Sequence, residues 1–338
     1  MRVWILGAGF SAPLGGPTLN QLLSRTGLDR LQHAFPQSWL HEPACGTCVE
    51  LLTRGEKEGL WKNAEEYVAA LISYDSKLFA DIVRLNGGHP DYDDEYLQQD
   101  PTERFAISLY CTAIALIAAQ CIHFVKRAAD NLEAWMPYDR WVRRVPDQDV
   151  FITFNYDEVV ETAFARNKRS LLVPDQRYNH GLPVTPGEQV LLKLHGGVGV
   201  RDTIVSPPEP NGIENLLRNP AMISVPGTSK ADEAETSLDQ LWDAASEALA
   251  SADKVSIVGY RCPPSDEKAK AMLIDSLHRN PNKPAVDIVL GHANPDAHRL
   301  VALLRSIGLE ARDAGLGTED YLSSQGVGAG WMTLDCRS

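Results

Sequence analysis

The chain has 338 residues, 44% of them hydrophobic and 23% charged, with a formal net charge of −13. That length and composition fit one large globular domain or two modest ones. An acidic surplus argues against a protein that grips a phosphate backbone, since such binders carry a basic surplus or stripe, so no direct nucleic-acid binding is expected.

At the N-terminus, Met1 runs straight into an apolar stretch without the basic n-region or cleavage site of a signal peptide. Six cysteines (Cys45, Cys48, Cys111, Cys121, Cys262 and Cys336) are too few for a disulfide scaffold in a chain this long. A reducing, cytoplasmic setting is the expectation. Arg2–Leu6 (RVWIL) reads as a short buried strand and leads directly into Gly7-Ala8-Gly9-Phe10-Ser11. Thr18 is then placed to cap a helix through LNQLLSR. Strand, glycine turn and helix together open a nucleotide-binding α/β unit.

From about residue 27 to residue 145 the pattern turns helical, with apolar residues at helical spacing over Cys48–Leu52, Ala64–Leu71, Lys77–Leu85 and Glu103–Trp135. An acidic, turn-rich loop, NGGHPDYDDEYLQQDP, separates the last two. No formally charged residue occurs between Arg104 and Lys126, a span long enough to cross a bilayer. Ser108, Thr112, Gln120 and His123 interrupt it, so a buried helix is favoured over a membrane span and no membrane association is expected. Apolar strands return at Asp149–Phe154, Val190–Leu194, Lys254–Val258 and Asp287–Leu290. Helices are read at Leu238–Ala250, Glu267–Leu277 and Pro295–Ile307, and loops at Pro207–Asn211 and Gly227–Glu235. Apolar strands alternating with helices specify an α/β, Rossmann-like parallel sheet covered on both faces. The organisation expected is a core from residues 1–26 and 146–338, with a large helical insertion over 27–145 after the first βα unit.

Every motif with chemical promise falls just past a strand's C-terminal end, the edge where open α/β sheets bind ligands. Gly7 and Gly9 let backbone pass close to a pyrophosphate, and the helix N-terminus beyond them offers unpaired N–H groups. The same residues also suit a plain tight turn; the third glycine of the dehydrogenase fingerprint is replaced by Ala12, and no ribose-binding acid follows. In Thr153-Phe154-Asn155-Tyr156-Asp157, Asn155 can orient a water or a ribose hydroxyl, and Asp157 can accept from a carboxamide or merely cap the helix EVVETAFAR. His195, followed by Gly196 and Gly197, suits a general base, or a structural histidine bonded to backbone. Gly259 begins a proline-stiffened loop in which Ser265 or Asp266 can cap the next helix. Asn294 closes the DIVL strand.

Taken in order, GAGFS with LGGPT, TFNYD, KLHG, ADKVSIVGYRCPPSD and LGHANPD resemble the sirtuins. They are most similar to the divergent sirtuin-like NAD hydrolases that serve as effector domains in prokaryotic antiviral defence. The resemblance covers roughly Met1–Asn20 and Val150–Gly308. It implies that Gly7, Ala8, Gly9 and Ser11 hold the phosphates and ribose of NAD, that Asn155 and His195 form the catalytic pair, and that Asp157 faces the nicotinamide carboxamide. Thr153, Gly196 and Tyr260 join the expected NAD-contacting set, with Gly259 and Asn294 along the adenosine half. Sirtuin deacylases carry Gln at the position of Phe154, a Phe-Arg pair where this chain has Leu19-Asn20, and a zinc held by two Cys-x-x-Cys pairs. Here only Cys45/Cys48 has that spacing, so two ordinary helix residues are expected and no metal.

The implied activity is hydrolysis of NAD to nicotinamide and ADP-ribose. Transfer of ADP-ribose or an acyl group to a macromolecule, and a non-catalytic NAD or ADP-ribose sensor, remain open alternatives; an oxidoreductase is disfavoured. An unrestrained NAD hydrolase would kill its own cell, so a gated effector is expected. The sequence leaves little room for a separate sensor domain after Gly308. Control is therefore expected from a homo-oligomer or a regulatory partner protein.

Overall fold

The computed structural model describes residues 1–36, 38–72, 101–174, 189–198, 223, 235–264 and 266–325, without the side chains of 39, 101–104 and 235–238. The helix expected over Lys77–Leu85, the acidic loop after it up to residue 100, the loops Pro207–Asn211 and Gly227–Glu235 up to residue 234, and Ser265 lie outside the described residues, while Pro101 opens a helix.

Six strands form one all-parallel sheet: β1 (Arg2–Leu6), β2 (Val150–Thr153), β3 (Val190–Lys193), β4 (Lys254–Val258), β5 (Ala285–Val289) and β6 (Ala311–Asp313). Their spatial order is β3-β2-β1-β4-β5-β6. The chain builds leftward from β1, then returns to build rightward from it. The strand order therefore reverses at β1, which sets the ligand-binding crevice outside its C-terminal end. Continuous burial of VFIT in β2 and VLLK in β3 fits strands covered on both faces.

Between β1 and β2 lie α1 (Ala8–Ser11), α2 (Arg25–Ala34), α3 (Pro43–Glu58), α4 (Ala64–Ile72), α5 (Pro101–Ala128) and α6 (Leu132–Arg144). The Thr18 box closes only a 3-10 turn, Leu19–Gln21, with the Thr18 N–H donating to Gln21 Oε1 at 2.9 Å. Leu23 then turns left-handed (φ +54), and α2 starts anew where Ser24 Oγ accepts from the Gly27 N–H at 3.1 Å. The single helix read over Glu103–Trp135 is two, broken where Asn131 Oδ1 caps α6 through the Ala134 N–H. The stretch Phe105–Ala128 is long and apolar enough to cross a membrane, yet 56% of its most apolar window is buried inside the protein. Within it, Gln120 Oε1 accepts from the buried Leu23 N–H at 3.1 Å, a contact that gives its amide a partner in the helical layer.

Helix α6 lies on the sheet itself. Trp141 meets Trp4 of β1 at 5.3 Å and Phe151 of β2 at 5.5 Å between ring centroids, both edge-on. Helices α2–α6 share that face's continuous core with Trp4, Leu6, Phe151 and Leu191. The opposite face packs Val3, Ile5, Ile152 and Ile257 against α8 (Glu235–Ser251), α9 (Glu267–Arg279) and α10 (Pro295–Ser306). Two further short helices lie among the described residues: α7 (Val159–Arg166) after β2 and α11 (Thr318–Ser324) after β6.

Candidate functional site

The glycine turn after β1 packs directly on the turn after β4. Gly7 N–H donates to Val258 O and Gly9 N–H to Gly259 O, each at 3.0 Å. A side chain at Gly9 would place Cβ 2.7 Å from the Gly259 Cα, and one at Gly259, where φ is +70, would lie 2.1 Å from the Phe10 nitrogen. The glycines at 9 and 259 are thus demanded first by each other. The helix the turn opens, α1, is a single turn of four residues, Ala8–Ser11. Phe10 N–H bonds back to Gly7 O, and the Ala8 N–H takes no partner among the described residues.

Beside this turn stands the tip of β2. Thr153 Oγ1 accepts from the Asn155 N–H at 3.1 Å and donates to Leu6 O at 3.5 Å, turning the chain so that the Asn155 amide faces the first turn. Asn155 Nδ2 donates to Gly7 O at 3.0 Å and to Ser11 Oγ at 3.1 Å. Its Oδ1 accepts from nothing among the described residues, which leaves an acceptor fixed by its own amide nitrogen. Asp157 Oδ1 accepts from the Val159 N–H at 3.0 Å, the helix-capping bond expected as one of its two roles. Burial pushes its carboxyl above the usual carboxylate range, against the pull of Ser11, Val159 and Lys193. Lys193, at the end of β3, is buried with Nζ 2.6 Å from Asp157 O and 2.7 Å from Glu161 Oε1. Burial opposes its charge, but Glu161, Asp157 and Glu158 outweigh that and raise it.

The last paired residues of β2 and β3 are Thr153 and Lys193, so Asn155 and His195 each lie two residues past the same register position on adjacent strands. Both are buried. Gly196, left-handed at φ +69, turns the chain directly after the imidazole. The His195 ring lies 5.1 Å from Phe154 and 6.0 Å from Trp242, and Phe154 stacks on Tyr260 at 4.2 Å. His195 Nε2 is 3.5 Å from Asp266 Oδ2, which also accepts from the Tyr260 hydroxyl at 2.7 Å. Asp266 Oδ1 accepts from the Ala269 N–H at 3.3 Å, capping α9. Burial alone would raise the Asp266 carboxyl, but His195, Tyr260 and Ala269 together hold it below the usual range.

One acid at this edge left no trace in the sequence pattern. Glu65, on α4, accepts from the Tyr156 hydroxyl at 2.9 Å. Burial, with Asp266 and Glu66 adding, raises its carboxyl, while His195 and Tyr156 act the other way. A contact between residues 91 positions apart carries no local signal. Asn294 stands apart, beyond β5: its Oδ1 caps α10 through the Asp296 N–H and its Nδ2 donates to Leu290 O, both at 3.0 Å. Tyr260 is present as a buried wall whose hydroxyl is held by Asp266.

Cys45 and Cys48 sit buried in α3, where burial pushes both thiols up to about 12. The Tyr67 hydroxyl lies 3.8 Å from Cys48 Sγ. The described residues contain no group of three or more His, Cys, Asp or Glu suited to a metal ion.

The tips of β1, β2 and β3, with the loop after β4 and α4 packed on them, thus bring together an anchored amide, an imidazole backed by a carboxylate, and buried acids, a set suited to positioning and deprotonating a hydroxyl or water. No curated protein matches the chain. Residues 149–311, from just before β2 to the first residue of β6, match the family model described as SIR2-like domain. The match supports a sirtuin-like family and implies NAD use, and β1 with its glycine turn lies between two strands of the matched region.

Proposed function

We propose that the chain is an NAD glycohydrolase, cleaving the nicotinamide–ribosyl bond to give nicotinamide and ADP-ribose. The observation that carries this reading is Asn155, tied by its amide nitrogen to Gly7 O and Ser11 Oγ, at the same register position as His195 on the neighbouring strand.

In this reading NAD lies across the ends of β1, β2 and β3, with its phosphates over the Gly7–Ser11 turn. The bond from ribose C1′ to the nicotinamide nitrogen breaks, and its electron pair leaves with the ring, which departs neutral. Positive charge develops on the sugar, and the buried carboxylate of Asp157 favours it. Asn155 Oδ1 holds the attacking water, and His195 takes its proton as the new bond to C1′ forms. Phe154 stands where sirtuin deacylases carry Gln, and its ring is packed against Tyr260, His195 and Trp242.

The wider role that fits such chemistry is a cytoplasmic effector of antiphage defence, restrained by self-assembly or by a regulatory partner protein until triggered. Incubation of the purified protein with NAD labelled in the adenosine half tests the reaction. Equal yields of nicotinamide and free labelled ADP-ribose support hydrolysis. Label retained on protein or nucleic acid points to transfer instead, and NAD bound but unchanged points to a sensor.

A further inference from the structure

We infer that Asp266 is a positioning residue for His195, fixing the ring's orientation and proton placement, and that Tyr260 holds Asp266 in turn. The catalytic consequence rests on the glycohydrolase reading; the pairing itself does not.

Both side chains are buried, at 7% and 4% exposure, so the imidazole and carboxylate meet where little water screens them. The Nε2–Oδ2 separation of 3.5 Å is long for a hydrogen bond, as such contacts often are before substrate binds. Two further donors, the Tyr260 hydroxyl at 2.7 Å and the Ala269 N–H at 3.3 Å, hold the two Asp266 oxygens in place. Tyr260 is itself clamped by its stack on Phe154. A neutral His195 with Nε2–H toward Asp266 keeps Nδ1 as the acceptor, and Nδ1 meets no partner among the described residues. When Nδ1 takes a proton, the positive charge forms beside a carboxylate already held in its ionised form.

The groups facing His195 are Asp266 from the loop after β4, Phe154 from the tip of β2, Glu65 from α4 and Trp242 from α8, with Tyr260 and Tyr156 behind Asp266 and Glu65. Tyr156 and Glu65 are bonded to each other. Among these, Asp266 is the carboxylate with an atom at ion-pair distance from the ring.

Asp266→Asn is the variant of choice, because asparagine caps helices as well as aspartate and α9 keeps its start. Two measurements on the full chain separate the pairing from the reaction. The first is the tautomer of the neutral His195 ring, read from the ring-nitrogen shifts by NMR on protein with 15N-labelled histidine and identified by their absence in His195→Ala. The Nε2–H form is expected to dominate in wild type and to lose that dominance in Asp266→Asn, while Glu65→Gln is expected to leave it in place. An unchanged tautomer in Asp266→Asn overturns the pairing, whether or not NAD is cleaved. The second is turnover. Asp266→Asn is expected to lower kcat about tenfold to a hundredfold, part of what a general base contributes, with KM within about twofold. Adding Asp266→Asn to His195→Ala should then cost nothing further. Losses that multiply in the double variant, or a kcat equal to wild type, contradict the positioning role. A tautomer that changes in Asp266→Asn as expected, in a wild type that releases no nicotinamide even with its activating partner present, overturns the glycohydrolase reading and leaves the pairing standing.

Discussion

The Asn155 amide nitrogen donates to the Gly7 carbonyl at 3.0 Å, tying the tip of β2 to the glycine turn after β1. Residues 148 positions apart in sequence are thereby locked into one edge. Asn155→Ala removes this bond and the one to Ser11, leaving two buried acceptors without that donor. A stability loss of about 1–3 kcal/mol is expected, read by chemical denaturation. Asn155→Asp is expected to be worse than Ala, since it sets a carboxylate oxygen against the Gly7 carbonyl. A melting curve for Asn155→Asp equal to wild type would contradict the donor assignment.

Gly259→Ala tests the contact between the two turns. Its Cβ would meet backbone of the first turn, where no side-chain rotation can relieve the clash. Overpacking of this kind costs about 1–3 kcal/mol, and the left-handed φ adds about 1–2 kcal/mol for a residue with a Cβ. A marked drop in Tm is expected; an unchanged Tm would mean the turns do not touch.

Asp157 carries a pH-dependent burden on the fold. Its folded carboxyl lies above the usual value, and an unfolded aspartate titrates near pH ~3.9. Below that pH both states hold the proton and the shift is without consequence. As pH rises through the folded value, the stabilising effect of the held proton is lost. Asp157→Asn keeps an oxygen to accept the Val159 N–H but cannot ionise. It is therefore expected to raise Tm relative to wild type at pH 7 and not at pH 4, while lowering NAD cleavage. Equal Tm differences at both pH values would contradict burial as the cause of the shift.

Cys45 and Cys48, with thiols pushed up to about 12, are expected to resist alkylation in the folded protein and to react only on unfolding. Cys111, exposed on α5 though partial burial raises its thiol too, is expected to react ahead of them. Rapid native labelling of Cys45 or Cys48, or zinc retained through Cys48 after purification, would contradict this reading of α3.

Strands β1 and β4 were legible residue for residue, because RVWIL and KVSIV are apolar runs bounded by breaks, and the parallel sheet follows from their alternation with helices. The third strand on the right flank, β6, was missed: Ala311-Arg312-Asp313 is short and two-thirds charged, and it is strand only because β5 pairs with it. Asn155 and His195 stood out because polar residues directly after buried strands need a reason to be there. Asp266 showed only its capping role, since the His195 contact spans 71 positions and depends on how the loop after β4 folds over the edge. Glu65 showed nothing, as one glutamate among the charges of an amphipathic helix is indistinguishable from a solvated one.

The most direct test of the central claim is the rate of nicotinamide release from NAD by wild type, Asn155→Ala and His195→Ala at equal concentration of folded protein. The account expects release by wild type, in the presence of any activating partner it requires, and losses of about a hundredfold or more in each variant. Wild-type rates in both variants would contradict it.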